Sequence, residues 1–183
     1  PSKEMIENSN SKKYAWCFMG QAGGRPTRQK MLLELERLNH PFYTNINKSW
    51  QSSDSLSVAE YKKILRQSVF APCPRGNRSV DSFRLYEALE CGCIPIIEKD
   101  PYWKNLLGDH PLIECPPSWE GVGKDISALL EDKLFLTEHS KKVFEWWQSH
   151  KALLKDSIEF ICSASKDSPS VEIKQKEFLD LKE

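Results

Sequence analysis

Three short runs in this chain are almost wholly apolar: "YAWCFMG" (14–20), "VFAPCP" (69–74) and "CIPIIE" (93–98). Each is shorter than a core helix needs, and each is bounded by turn residues before a helical pattern begins. A strand that is apolar at every position has both faces covered, which is the situation of a parallel sheet between helix layers. "FYTNI" (42–46) and "HPLIECP" (110–116) read as further strands. Between them lie helical patterns. "TRQKMLLELERL" (27–38) has apolar residues at 31, 32, 35 and 38, and "SDSLSVAEYKKILRQS" (53–68) holds Ser57 and Glu60 at capping-box spacing. "SFRLYEALECG" (82–92) is closed by Gly92, and "KDISALLED" (124–132) and "TEHSKKVFEWWQSHKALLKDSIEFI" (137–161) complete the set. The alternation predicts the α/β class, a Rossmann-like doubly wound fold on a mainly parallel sheet. Residues 1–11 read as a flexible lead-in, 12–162 as the folded domain, and 163–183 as a polar tail, disordered or loosely helical.

The 26 basic and 26 acidic residues cancel, and the pI is ≈ 7.3, so no broad basic face for nucleic acid is expected. No apolar run approaches the roughly 20 residues that span a bilayer, and nothing near Pro1 resembles a signal peptide. Six cysteines are scattered along the chain, four of them in apolar stretches where a free thiol behaves as a small hydrophobe. Cys91 and Cys93 form a C-x-C pair, but no second paired ligand motif accompanies it, so no metal is expected. Of the two N-x-S sequons, at Asn47 and Asn77, the second lies inside a basic turn. A glycan there would bury that turn, which favours the cytoplasm over a Golgi lumen reached through an upstream anchor.

In a neutral chain any positive charge that matters is local. "APCPRGNRSVDSFRLYEALECGCIPII" (71–97) places Arg75, Arg78 and Arg84 around a serine-containing turn at the mouth of a helix. Arginine offers a planar fork that matches phosphate oxygens, and serine hydroxyls with helix N–H groups complete an anion nest. Arg75, Gly76, Ser79, Ser82 and Arg84 are therefore candidate phosphate ligands. Arg84 in the first turn opposes the helix dipole and calls for an anionic partner. Glu87 follows at i+3, where it either pairs with Arg84 or accepts hydrogen bonds from a ribose. A second loop, "QAGGRPTR", supplies Gly23, Gly24, Arg25 and Arg28 at another helix start, as an anion site or as a tight turn with solvated arginines. Trp103, after the 93–98 strand, is a candidate for stacking on a base or sugar, whereas Trp146 and Trp147 read as packing residues. His110, His139 and His150 show no metal or triad spacing.

The block "PRGNRSVDSFRLYEALECGCIPII" resembles the core signature of the exostosin-like glycosyltransferases: a P-R-G turn, an S-F-R step, an E-A-L helix and a C/G-x-P-V/I strand. "FMGQAGGRPTRQKMLLEL" resembles that family's strand, glycine turn and arginine-bearing helix, so the similarity covers about residues 14–105. The resemblance implies the C-terminal, donor-binding half of a GT-B arrangement. It also implies a UDP- or GDP-type nucleotide sugar as substrate, a glycan acceptor, and no cofactor. By position, Arg75 and Ser82 would serve the diphosphate, Arg84 would support it and Glu87 would hold the ribose. Retaining GT-B enzymes often carry two glutamates, the second opening an E-A-(L/M) helix. Aligning that one with Glu87 puts Ser79 where the first would stand, which leans toward inversion, and Arg75, Arg28 and the helix start would stabilise the leaving group without a metal. The carboxylate base normally comes from an N-terminal acceptor domain, expected outside this chain. Asp81 and Asp100 are the nearby acids, and neither is assigned that role. The alternative is a non-catalytic nucleotide- or glycan-binding module that retains the fold.

Overall fold

The structure, a computed structural model, describes residues 11–47 and 55–166. The proposed lead-in, but for its last residue, and the tail from residue 167 onward lie outside the described residues. Five strands form one all-parallel sheet in the order β2-β1-β3-β4-β5: β1 (Tyr14–Gln21), β2 (Phe42–Asn47), β3 (Ser68–Cys73), β4 (Ile94–Glu98) and β5 (Ile113–Cys115). The helices are α1 (Pro26–Glu36), α2 (Val58–Arg66), α3 (Phe83–Glu90), α4 (Pro101–Leu107), α5 (Val122–Glu131) and α6 (Lys133–Lys166). The Rossmann-like α/β expectation holds, with a sheet that is wholly parallel. α6 runs past the expected domain boundary at residue 162.

Local signals account for most of the boundaries. Ser57 and Glu60 make the reciprocal capping box that starts α2. α3 ends at Gly92, whose φ of 70° suits a residue without a Cβ. Asp100 caps α4 through Tyr102 N, with Pro101 at its first position. That helix was not expected from the sequence, although a D-P pair after a strand is a usable start signal.

The connection β1-α1-β2 steps one way across the sheet, whereas β2-α2-β3 and the later units step the other way. Right-handed crossovers then put α1 and α2 on opposite faces. α1 meets α5 closely: a Cβ on Gly123 would stand 2.5 Å from Glu34 O, and Gly121 N donates to Glu34 Oε2. α2 and α3 meet through Tyr61 and Glu87. The core between the layers includes Trp16, Phe18, Met31, Leu35, Phe70, Ile94, Ile96 and Trp119, all buried.

β1 and β3 pair at Tyr14–Ser68 and Trp16–Phe70 and no further. The next partner of Phe18 would be Pro72, which has no N–H to give. The two strands therefore part toward their carboxyl ends, at the point where the strand order reverses. By its contacts the chain divides into Pro1–Trp146, which holds the sheet, and Trp147–Glu183. The described part of the second unit is the C-terminal portion of α6, with Leu153, Ile158 and Ile161 exposed.

Candidate functional site

The gap between β1 and β3 opens into a cavity of about 680 Å³. The ends of β1 and β2 supply Gly20, Gln21 and Asn47, and α1 supplies Arg28. The loop after β3 supplies Gly76, Asn77, Ser79 and Asp81, and the start of α3 supplies Ser82, Phe83, Arg84, Tyr86 and Glu87. A second cavity of about 830 Å³ adjoins it, sharing Gly20, Asn47, Arg84, Tyr86 and Glu87 and continuing past Tyr61, Lys62, Arg66 and Glu90.

Of the residues expected at a phosphate site, Arg28, Gly76, Ser79, Ser82 and Arg84 line the first cavity together, and so does Glu87. Arg28 is buried and serves as a clip, its Nη1 donating to Gln21 O at 2.7 Å and its Nη2 to Arg75 O at 2.9 Å. It thereby ties the end of β1 to the loop after β3. Burial, with the nearby Arg84 and Arg25 guanidiniums, pushes Arg28 down to about 10. Around Arg28, then, like charges crowd together, a condition that an anion bound nearby would relieve.

Arg84 reaches across the gap rather than out to water. Its Nη2 donates to Met19 O at 3.1 Å, its guanidinium lies 4.7 Å from the Phe18 ring centroid, and its Nε is buried with no partner. A Cβ on Gly20 would collide with Nη2, so the glycine leaves the space Arg84 occupies. The helix behind it starts without a side-chain cap: Ser82 makes no capping hydrogen bond and the first turn holds no acid. First-turn N–H groups without caps at the positive end of a helix dipole favour an anion. Gly76 lets the loop close on itself, since a Cβ there would stand 2.5 Å from Asp81 O.

Of the two readings of Glu87, pairing with Arg84 is not what the structure shows. Glu87 instead accepts from Tyr61 OH at 2.7 Å, and burial together with this bond raises the Tyr61 phenol. Gly23, Gly24 and Arg25 are not among the residues lining either cavity, and neither is Arg75. The Arg75 Nε donates to Glu98 Oε2 at 2.6 Å and its backbone N to Oε1 at 3.2 Å, so Glu98 holds the Arg75 guanidinium above its ordinary value. Trp103 is 1% exposed and donates its Nε1 to Glu98 O, so it has no face left for a base or sugar. The exposed aromatic on the cavity wall is Phe83, at 79%. Asp100 is occupied as the cap of α4.

The residue that sequence reasoning missed is Glu98. It is fully buried at the end of β4 and accepts from Arg75 and from Trp119 Nε1 at 3.0 Å. Trp119 has φ of 60°, a strained setting for a bulky residue, and is itself completely buried. A lone acid closing an otherwise apolar strand was the available signal. Cys91 and Cys93 are buried, and Cys93 Sγ donates to Leu65 O. Among the described residues no group of three or more His, Cys, Asp or Glu is placed to hold a metal ion, and no helix is long and apolar enough to cross a membrane.

A family profile described as the RXYLT1 C-terminal domain matches residues 1–105 of the 183. Exostosin-1a of Danio rerio is 30% identical over 92 residues, which cover 43% of this chain and 12% of that protein. The matched region takes in β1, α1, β3, α3, β4 and the loop after β3 that lines the cavity. The chain belongs to the RXYLT1 C-terminal domain family, an exostosin-like, glycosyltransferase-related family.

Proposed function

We propose that this chain is the donor-binding half of a glycosyltransferase of GT-B type, holding a UDP- or GDP-type sugar for transfer to a glycan acceptor. The observation that carries this reading is the cavity where β1 and β3 part, with the uncapped start of α3, Ser82, Arg28 and Arg84 on its wall. In this reading the diphosphate lies against that helix start, and Ser79, Gly76 and Arg84 surround it. Phe83 offers its ring to the base, and Glu87 faces the ribose. Arg75 acts from behind, where Glu98 and Arg28 fix the loop that carries Gly76.

Cleaving a sugar from a nucleotide diphosphate loads negative charge onto the leaving group. Oriented cations and helix N–H groups stabilise that charge as it develops, and these residues suffice to do so without a metal. Ser79, standing where a retaining enzyme would carry a glutamate, supports inversion. The acceptor-activating carboxylate then belongs to an N-terminal domain beyond this chain.

Calorimetric titration with UDP, GDP, CMP and ADP sugars, with and without Mg²⁺, tests the reading. Saturable binding by one of them is expected, equal in both buffers and weakened about tenfold or more by Arg84→Ala. A folded protein that takes none of them sinks the donor site. The second reading is a non-catalytic nucleotide- or glycan-binding module that keeps the same cavity and needs no base. Donor binding without transfer in the presence of the N-terminal domain would select it.

A further inference from the structure

Three residues on the cavity wall have a buried polar atom with no hydrogen-bond partner: Asn47 Oδ1, Asp81 Oδ1 and Arg84 Nε. Asp81 is the informative one, because its two oxygens are treated differently. Oδ2 accepts from Tyr86 OH at 3.2 Å and from Tyr102 OH at 3.4 Å. Oδ1 is shielded from bulk water and accepts nothing. None of the ion pairs among the described residues involves Asp81.

The clamp comes from two separate elements, Tyr86 on α3 and Tyr102 on α4. Burial and the charge on Asp81 push the Tyr86 phenol up to about 12 and raise that of Tyr102, so both remain donors at neutral pH. The loop before α3 is held as well, since Ser79 Oγ donates to Asp81 O at 3.3 Å. A carboxylate oxygen kept from water and left unpartnered is costly unless a donor arrives to satisfy it. A phosphate cannot be that group, because like charges repel. A hydroxyl can.

Resting on the donor reading above, we propose that Asp81 reads the transferred sugar, its Oδ1 accepting a hydrogen bond from a sugar hydroxyl of the bound nucleotide sugar. The order of chemistry along the chain matches the order within such a ligand. A nucleotide sugar runs from one hydroxylated ring through a diphosphate to another hydroxylated ring. In sequence, the lining residues pass from the carboxylate of Asp81, through the helix start with Ser82 and Arg84, to the carboxylate of Glu87.

The test compares wild type with Asp81→Asn, which keeps an acceptor for the tyrosines but presents an amide N–H₂ in place of Oδ1. Each is titrated with UDP and GDP, and with UDP-glucose, UDP-xylose, UDP-N-acetylglucosamine and GDP-mannose. The variant is expected to bind the preferred nucleotide sugar roughly ten- to a hundredfold more weakly, with bare diphosphate binding unchanged within about twofold. Equal losses for sugar nucleotide and bare diphosphate overturn the assignment, and so does no loss at all. Wild-type protein that binds none of the six ligands overturns the donor reading itself, and this inference with it. If melting curves show Asp81→Asn unfolded, Tyr102→Phe replaces it. Removing that one clamp bond is expected to cost about three- to tenfold for sugar nucleotides alone, and unchanged affinity overturns the proposal.

Discussion

The two ends of the sheet are made by the same strands and finished by different side chains. At the amino end Lys12 donates to Ser68 O at 3.0 Å and to Gly92 O, joining the starts of β3 and β4 next to β1. Gly92 follows α3, so the lysine also supplies a cation at the negative end of a helix dipole. Burial pulls Lys12 below its ordinary range, opposed by the neighbouring thiols Cys93, Cys17 and Cys91. There the cation lies against carbonyls, and it lines neither of the two cavities. At the carboxyl end Arg28 and Arg84 also donate to backbone carbonyls, but they leave a cavity between them.

The contrast teaches why such a sheet has a binding end. All five strands point the same way, so the helices that follow them start at the carboxyl end with free N–H groups. An arginine added there is a cation beside the positive end of a dipole, and an anionic ligand relieves both. A lysine at the other end is already among carbonyls. One end is closed by folding, and the other keeps a cavity.

The largest effect is expected where a buried charge anchors the carboxyl end. Glu98→Ala leaves Trp119 Nε1 and the Arg75 N–H groups without their acceptor and opens a void, costing about 3 kcal/mol or more of stability. Urea unfolding measures it, and a loss below about 1 kcal/mol would mean that Glu98 is not an anchor. Lys12→Met should come next, at about 2 kcal/mol, because two carbonyls lose a charged donor. Its discriminating feature is that nucleotide binding stays unchanged, whereas Arg84→Ala affects binding more than stability. A Lys12 variant that loses affinity would break the division between the two ends.

The smallest effect concerns acid. His110, just before β5, and His139 are both held below the ordinary 6.5, chiefly by burial. A base depressed in the folded state binds fewer protons there than when unfolded. Its contribution is therefore full above pH 6.5 and is lost as pH falls below that value toward the lowered folded-state pKa. Denaturation midpoints between pH 8 and about 5 should fall, and His110→Gln with His139→Gln should flatten the slope. An unchanged slope in the double variant would exclude these histidines as its source.

How much was legible follows the reach of each interaction. The strand and helix alternation, the Ser57–Glu60 capping box and the Gly92 stop were readable because their partners lie within a few residues. The gathering of Gly76, Ser79, Ser82, Arg84 and Glu87 was readable too, since one loop and one helix start carry them all. What each arginine does was not. Arg28 ends on Arg75 O, 47 residues away, Arg84 on Met19 O, 65 away, and Arg75 on Glu98, 23 away. Trp103 read as an aromatic offered to a ligand, and it became part of the core around Glu98.

By itself the sequence determined that a parallel α/β sheet forms and that cationic, hydroxyl-bearing groups sit at a helix mouth. Apolar periodicity, caps and turn residues are local, and they act on the chain wherever it goes. Only the tertiary structure decided which of those groups face the cavity. A guanidinium presents several donors to whatever lies near, and the strand crossovers settle whether that neighbour is a carbonyl, a buried carboxylate or an open site.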